Sequence, residues 1–170
     1  MSNPWWGKGG MIDYTNDSLS GIDYYGADIG GFHRNLEGEL NEMYTQWYAY
    51  GMMFDIPGRP HTENLCNCKE TAPDRIGDLK SNLENTYLRY KLIPYAYSLA
   101  HRAHRYGEPL MPPPFMYYQL DNNFRSVGSE KMIGRDLLVS VISKHGQTSA
   151  DVCLPSGTWI DWHTNDRFII

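Results

Sequence analysis

The sequence lacks the features that mark several protein classes. Its 170 residues hold only three cysteines, Cys66, Cys68 and Cys153, which argues against a disulfide framework and favours a reducing compartment such as the cytoplasm. No segment approaches the roughly 18 consecutive apolar residues of a membrane span, and residues 1–12 contain no apolar run typical of a signal peptide. Basic residues number 15 against 20 acidic ones and form no cluster. We therefore expect neither a membrane nor a nucleic acid among its partners.

Aromatic residues are what the sequence has in abundance, with five Trp, 13 Tyr and five Phe. Such a chain can build a large core, and it can also line a site that stacks against flat, apolar faces. Hydrophobic residues make up 41% of the chain and charged residues 21%, which is the composition of a folded protein. The length fits one domain of ordinary size or two small ones.

Local patterns before Pro112 predict one short strand and two helices. A buried strand is expected over 22–26, and an apolar period of 3.6 residues predicts a helix over roughly 38–53. A second helix begins after an N-cap at Asp78 and ends at Gly107, with a break or kink near Pro94. Its aromatic residues are predicted to pack in the core or against other helices rather than to form a sugar platform: Tyr87, Tyr90, Tyr95 and Tyr97.

The proline run 112–114 separates this helix-rich part from a strand-rich part. Short antiparallel strands are predicted over 136–142, 149–154 and 158–162, with turns at the glycines and proline between them. Three strands are rarely stable alone, so this β element must pack on the helices or on further chain.

Side chains suited to sugar recognition follow the predicted strand. Asp28 lies at the start of a glycine-rich turn, Phe32 follows within that turn, and His61 lies in a Gly/Pro-containing loop. Sugar hydroxyls are bound by carboxylate and imidazole groups, and the C–H face of a sugar packs on an aromatic plane. Composition alone favours the structural alternative, in which Asp28 caps a helix, His61 lies on the surface and Phe32 is in the core.

A metal site is a weaker alternative. His61, Cys66 and Cys68 could supply three ligands, but structural zinc usually takes four, with two residues between paired cysteines. Free thiols in a loop are the simpler interpretation, so we expect no metal and no other cofactor.

Six short motifs occur in a fixed order along the chain. They are GADIGGF at 26–32, RPH at 59–61, LRYKLIPYAY at 88–97, GEPLM at 107–111, IGRDLLV at 133–139 and LPSGTW at 154–159. Together they resemble glycoside hydrolase family 31, the α-glucosidase family. The resemblance implies an α/β fold in which 1–111 is the C-terminal part of a (β/α)8 TIM barrel and 112–170 begins an antiparallel β-sandwich domain.

The resemblance also implies a function. The family carries out retaining hydrolysis of terminal α-glycosidic bonds, so an α-linked oligosaccharide or glycoside is the expected partner. Asp28, Phe32 and His61 would line the pocket for the non-reducing sugar. Arg59 would support that pocket by orienting its loop or the Asp28 carboxylate.

One departure from the family bears on catalysis. A retaining glycosidase needs two carboxyl groups about 5–5.5 Å apart. In the family both lie between an early glycine-rich loop, which 5–16 resembles, and the turn at Asp28, but here only 17–27 intervene. The chain therefore resembles a fragment or an internally deleted member without nucleophile or acid/base, inactive alone. No local pattern places a substitute pair of carboxylates among the candidates Asp13, Asp17 and Asp23.

Two further expectations follow from an incomplete barrel. Missing strands expose sheet edges, so self-association is expected. The alternative to a hydrolase is a non-catalytic carbohydrate-binding or interaction protein that retains half of the sugar pocket.

Overall fold

The computed structural model describes residues 17–22, 24–32, 40–62, 70–142 and 144–170. Two α-helices dominate these ranges, α1 (Leu40–Phe54) and α2 (Leu79–Tyr106). Single turns of 3-10 helix occur at Asp17–Ser20, Pro114–Met116 and Asn122–Ser126.

The strands of the described residues pair two by two. The first pair is parallel and joins β1 (Asp28–Ile29) to β2 (Arg59–Pro60). Two antiparallel pairs follow the proline run, as the sequence predicts for this part of the chain. They are β3 (Glu130–Ile133) with β4 (Leu137–Ser140), and β5 (Thr158–Ile160) with β6 (Arg167–Ile169).

Helix α1 packs its apolar stripe against β1. The side chains of Met43, Tyr44 and Trp47 are buried together with Ile29 of β1, which confirms the predicted helical period. Gly51 makes this close approach feasible, because a Cβ atom there would lie 2.6 Å from the Cδ1 atom of Ile29. The position of β1 therefore depends on the sequence of α1.

Helix α2 begins and ends as its capping residues predict. The Asp78 carboxylate accepts a hydrogen bond from the Ser81 N–H, and Gly107 adopts a left-handed conformation with φ +70°. Of the predicted break or kink near Pro94, the break is wrong, since the helix is continuous through this residue, and the kink stays a prediction. Pro94 lies on the exposed side, where water can solvate the carbonyl that loses its helical donor. Within the described ranges, neither helix is long and apolar enough to cross a membrane.

The packing of α2 differs from the sequence prediction. Tyr95 does pack against the core, and its hydroxyl donates to the Ile133 carbonyl at 2.9 Å. Tyr87, Tyr90 and Tyr97, which were predicted to be packed, are exposed. Helix α2 turns a different face, containing Asn82 and Leu99, toward the protein.

A second buried cluster joins the helices to the C-terminal strands. Tyr50 of α1 and Leu99 of α2 pack there with Leu110, Ile133 and Val141. A backbone hydrogen bond adds to this packing: the Gly134 N–H donates to the Leu110 carbonyl at 2.7 Å. The helical part and the β part therefore share one core.

Two predicted strands are wrong. Ile22, Tyr24 and Tyr25 are exposed and lie outside any strand, and the parallel ladder forms two residues beyond the predicted segment, at β1. Residues 149–154 form no strand, because the Cys153 N–H donates to the Glu130 carboxylate at 2.6 Å instead of to a neighbouring backbone. The strands predicted over 136–142 and 158–162 are present in shorter form.

Candidate functional site

The parallel pair β1–β2 places a carboxylate beside a guanidinium. Its register sets Asp28 opposite Arg59, and the Arg59 guanidinium donates to the Asp28 carboxylate at 2.5 Å. The Asp28 side chain is only 17% exposed, whereas that of Arg59 is 58% exposed. Arg59 therefore engages one oxygen of the Asp28 carboxylate and fixes its orientation.

The loops that follow the two strands bring an aromatic ring to an imidazole. The rings of Phe32 and His61 lie 5.7 Å apart between centroids, inclined by 45°. The buried Thr62 joins the same two loops, because its hydroxyl donates to the Phe32 carbonyl at 2.7 Å. Both rings are exposed at this point, so their faces are accessible to a ligand.

The four residues singled out in the sequence thus form two contacting pairs on neighbouring parallel strands. Asp28 and Arg59 begin the two strands, and Phe32 and His61 lie beyond the carboxyl ends of these strands. In barrels and open α/β sheets this end of the strands carries the ligand site. The arrangement offers a carboxylate acceptor, guanidinium donors, an imidazole and an aromatic plane. This set of groups is suited to a polyhydroxylated ring with one apolar face.

Backbone packing holds the two strands in place. Gly26 approaches the loop before β2 so closely that a Cβ atom there would lie 2.1 Å from the Pro57 carbonyl oxygen. The Ile56 N–H donates to the Tyr25 carbonyl at 2.9 Å across the same gap. The first glycine of the GADIGGF motif, Gly26, is therefore required by the close approach of these two backbone segments.

Two supporting residues were missed by the sequence analysis. Thr62 donates to the Phe32 carbonyl from 30 residues away along the chain. A threonine at this position of the sequence does not by itself indicate that contact. Arg89 of α2 donates to the carbonyls of Met52 and Asp55 at 3.0 and 2.9 Å, at the end of α1. The LRYKLIPYAY motif contains Arg89, but only the fold shows what the guanidinium binds.

Buried polar side chains lie at the C-terminal end of α1. The Asp55 side chain is fully buried, and that of Tyr50 is nearly so. Burial raises the pKa of the Tyr50 hydroxyl well above its usual value, with further increases from the charges of Asp55 and Asp17. The pKa of Tyr25 is raised by the same causes. Both phenols therefore stay neutral over the physiological range.

Of the remaining candidates, Asp17 alone lies within the described residues. Asp17 begins a turn of 3-10 helix, while Asp13, Asp23, Cys66 and Cys68 lie outside the described residues. The described ranges contain no group of three or more His, Cys, Asp or Glu side chains that could hold a metal ion. A cavity of about 770 Å³ lies elsewhere, between the two helices and the C-terminal strands.

Comparison with known protein families gives two adjacent matches. Residues 5–99 match the glycosyl hydrolases family 31 TIM-barrel domain, and residues 107–169 match the glycosyl hydrolase family 31 C-terminal domain. These matches confirm the predicted fold class, part of a (β/α)8 barrel followed by a C-terminal domain. The division of the chain between 111 and 112 stays a prediction.

Curated relatives are α-glucosidases. The chain is 31% identical over 155 residues to alpha-glucosidase 2 of Bacillus thermoamyloliquefaciens, covering 89% of this chain and 19% of that protein. It is 36% identical over 153 residues to neutral alpha-glucosidase C of Mus musculus, covering 89% of this chain and 16% of that protein. The chain thus spans less than a fifth of the length of these relatives.

Solved structures show the same relationship. The chain superposes on a Flavobacterium johnsoniae GH31 dextranase complexed with glucose with a TM-score of 0.83 and 26% identity, over 98% of this chain and 21% of that one. It superposes on the cycloalternan-forming enzyme of Listeria monocytogenes, in complex with a pentasaccharide substrate, with a TM-score of 0.83 and 28% identity. That match covers 93% of this chain and 16% of the enzyme.

Proposed function

Since this chain belongs to glycoside hydrolase family 31, we propose that it binds the terminal sugar of an α-linked oligosaccharide at the ends of β1 and β2. The proposed ligand groups are Asp28, Phe32 and His61, supported by Arg59. We further propose that this chain binds the sugar without cleaving it, although retaining hydrolysis of terminal α-glycosides is the reaction of the α-glucosidases it resembles.

The observation that carries this proposal is the register of β1 with β2. Asp28 and Arg59 are direct neighbours across the two strands, and Phe32 and His61 meet in the loops that follow. Residues 28 and 61 are far apart in sequence, so their approach is a property of the fold. The two strands and their following loops carry the hydrogen-bond acceptor, the hydrogen-bond donors and the aromatic ring that a sugar-binding site needs.

Each residue has a distinct proposed role. The Asp28 carboxylate accepts hydrogen bonds from sugar hydroxyls, and Arg59 keeps it oriented by occupying one of its oxygens. The imidazole of His61 exchanges a further hydrogen bond with a hydroxyl. The ring of Phe32 packs against the C–H face of the sugar, tilted toward His61 at 45°.

The absence of cleavage follows from the requirements of the chemistry. Retaining hydrolysis needs a nucleophile and an acid/base whose carboxyl groups lie about 5–5.5 Å apart. Asp28 is engaged by Arg59 and is assigned to binding, and residues 17–27 leave little chain in which to place two catalytic motifs. We therefore assign sugar binding, and not hydrolysis, to this chain.

Isothermal titration calorimetry with glucose, maltose and isomaltose tests the proposal. We expect saturable binding of at least one sugar, lost in His61→Ala and in Asp28→Asn. His163→Ala is the matched control, because His163 is an exposed histidine on the β5–β6 turn. His61→Ala and His163→Ala alter exposed side chains, and Asp28→Asn preserves the size of a side chain that is 17% exposed, so far-UV circular dichroism should show equal helix content in all three variants.

Two results would contradict the proposal. Sugar binding that is absent in the wild-type chain, or equally strong in all variants, removes the assigned site. Hydrolysis of an aryl α-glucoside that disappears in Asp28→Asn would show that the chain is itself a glycosidase and that Asp28 has a catalytic role.

A further inference from the structure

The exposed face of α2 carries an apolar pattern with a regular spacing. Leu83, Tyr87, Tyr90, Pro94, Tyr97 and His101 follow one another at alternating intervals of four and three residues, and all six are exposed. We call this set the α2 seam. Alternating intervals of four and three give a mean period of 3.5 residues, which is the period of helices that pair along a common seam.

The seam is a large exposed surface. Tyr87, Tyr90 and Tyr97 are 61%, 68% and 72% exposed. With about 150–250 Å² available per aromatic side chain, the six residues present roughly 700 Å². A monomer rarely exposes an apolar patch beyond about 300–600 Å², and a standard interface buries about 800 Å² per partner. The area is therefore that of a dimer interface.

We propose that the α2 seam is the interface of a symmetric dimer in which two copies of α2 pack antiparallel. The proposal is independent of sugar binding, because no residue of the seam belongs to the β1–β2 site. A second copy fits because it brings a seam of the same period and length, and a two-fold axis closes the assembly at two chains.

The charges of α2 favour the antiparallel orientation. His104 and Arg105 lie in the last turn of the helix, whereas near its N-terminal end the charges of Lys80 and Glu84 offset each other, 3.8 Å apart. A parallel pair would bring the two basic ends together. An antiparallel pair keeps the two basic ends apart and opposes the two helix dipoles favourably.

The antiparallel register makes specific contacts across the axis. With Pro94 near the centre, Tyr90 of one copy lies opposite Tyr97 of the other, and Tyr87 lies opposite His101. The ring of Tyr97 already meets that of His101 edge-on within one helix, at 6.3 Å between centroids. The dimer would extend this contact into a row of tilted aromatic rings, which is a favourable arrangement.

Sedimentation equilibrium measures the first consequence. We expect the wild-type chain to dimerise and the double variant Tyr90→Glu/Tyr97→Glu to weaken the dimer at least about 100-fold, since large buried aromatics dominate such interfaces. Leu120→Glu is the control, because Leu120 is 98% exposed and is not part of α2. A wild-type chain that stays monomeric up to about 100 μM, or a dimer that the double variant leaves intact, overturns the proposal.

Disulfide trapping measures the orientation without relying on those charged variants. The three native cysteines, Cys66, Cys68 and Cys153, are first changed to Ser. The single variants Tyr90→Cys and Tyr97→Cys are then made in this background, and each is oxidised by itself and in a mixture with the other. We expect the mixture to form a 90–97 cross-link. Cross-links within either variant alone are disfavoured, because seven residues displace the two thiols by about 10 Å along the axis. Cross-links that form equally well in the separate variants, or open-ended polymers instead of dimers, contradict the antiparallel dimer.

Discussion

Arg89 on α2 donates a 2.9 Å hydrogen bond to the backbone carbonyl of Asp55, the first residue after α1. The same guanidinium donates to the Met52 carbonyl at 3.0 Å. It thereby satisfies carbonyl groups at the C-terminal end of α1, where a helix favours a cation. Because α1 supports β1, this contact links the packing of the two helices to the candidate site.

Arg89→Met should therefore destabilise the fold. Loss of charge-assisted hydrogen bonds to partly buried carbonyls is expected to lower the free energy of unfolding by about 2–3 kcal/mol. Urea denaturation followed by far-UV circular dichroism measures the change. Arg125→Met serves as the control, since Arg125 is exposed on a short 3-10 helix, and an equal loss in both variants would refute the role assigned to Arg89.

Gly26→Ala tests the close approach of the segments that carry β1 and β2. The added Cβ would meet the Pro57 carbonyl oxygen at 2.1 Å, and a backbone neighbour cannot move aside cheaply. We expect a loss of at least about 2 kcal/mol in the free energy of unfolding. At Gly58 the nearest contact is the flexible end of Met52, so Gly58→Ala should cost less. Equal stability of Gly26→Ala and wild type would refute this packing.

These two contacts show where sequence reasoning succeeded and where it failed. The caps Asp78 and Gly107 were predicted because a cap depends on residues within one turn. The role of Arg89 depends on carbonyls more than 30 residues away, which no local pattern encodes. The motif order indicated that Asp28 and His61 belong to one site, but the pairing of Asp28 with Arg59 became visible only in the fold.

Burial of side chains was the least predictable feature. The apolar period of α2 suggested a buried stripe, yet Tyr87 and Tyr90 are exposed, because the helix turns another face to the protein. Strand β3 was missed because all four residues of Glu130–Ile133 are buried, without the alternation that marks a half-exposed strand. Its glutamate also explains the false strand at 149–154, since the carboxylate takes the Cys153 N–H.

Thr62 is expected to position the sugar site without touching the ligand. Its hydroxyl donates to the Phe32 carbonyl at 2.7 Å, so Thr62→Val frees the Phe32 loop from the His61 loop. Loss of one hydrogen bond of about 1 kcal/mol predicts roughly five- to tenfold weaker sugar binding, recovered in Thr62→Ser. Calorimetry on the three proteins decides the matter. Recovery by Ser distinguishes the hydroxyl contact from packing, and unchanged affinity in Thr62→Val would exclude a positioning role.

Glu130 should make stability depend on pH. Its side chain is buried, and burial raises the pKa of its carboxyl above the ordinary 4.5, opposed in part by the hydrogen bond from the Cys153 N–H. A raised pKa means that the folded state favours the protonated acid. The stability that it contributes is therefore full below the ordinary pKa and is lost as the pH rises through the raised one.

Urea denaturation of Glu130→Gln between about pH 4 and 7 measures this effect. The amide keeps an acceptor for the Cys153 N–H and cannot ionise, so we expect Glu130→Gln to gain stability relative to wild type as the pH rises. A difference between the two proteins that does not change with pH would contradict the assignment.

Nuclear magnetic resonance of the histidine rings tests the sugar site most directly. In a titration with isomaltose, we expect the Hε1 and Hδ2 signals of His61 to shift saturably. The signals of His163, on the distant β5–β6 turn, should stay in place. In Asp28→Asn the His61 shifts should disappear at the same sugar concentrations. His61 signals that remain fixed while isomaltose is demonstrably bound would contradict the claim that β1 and β2 carry the sugar site.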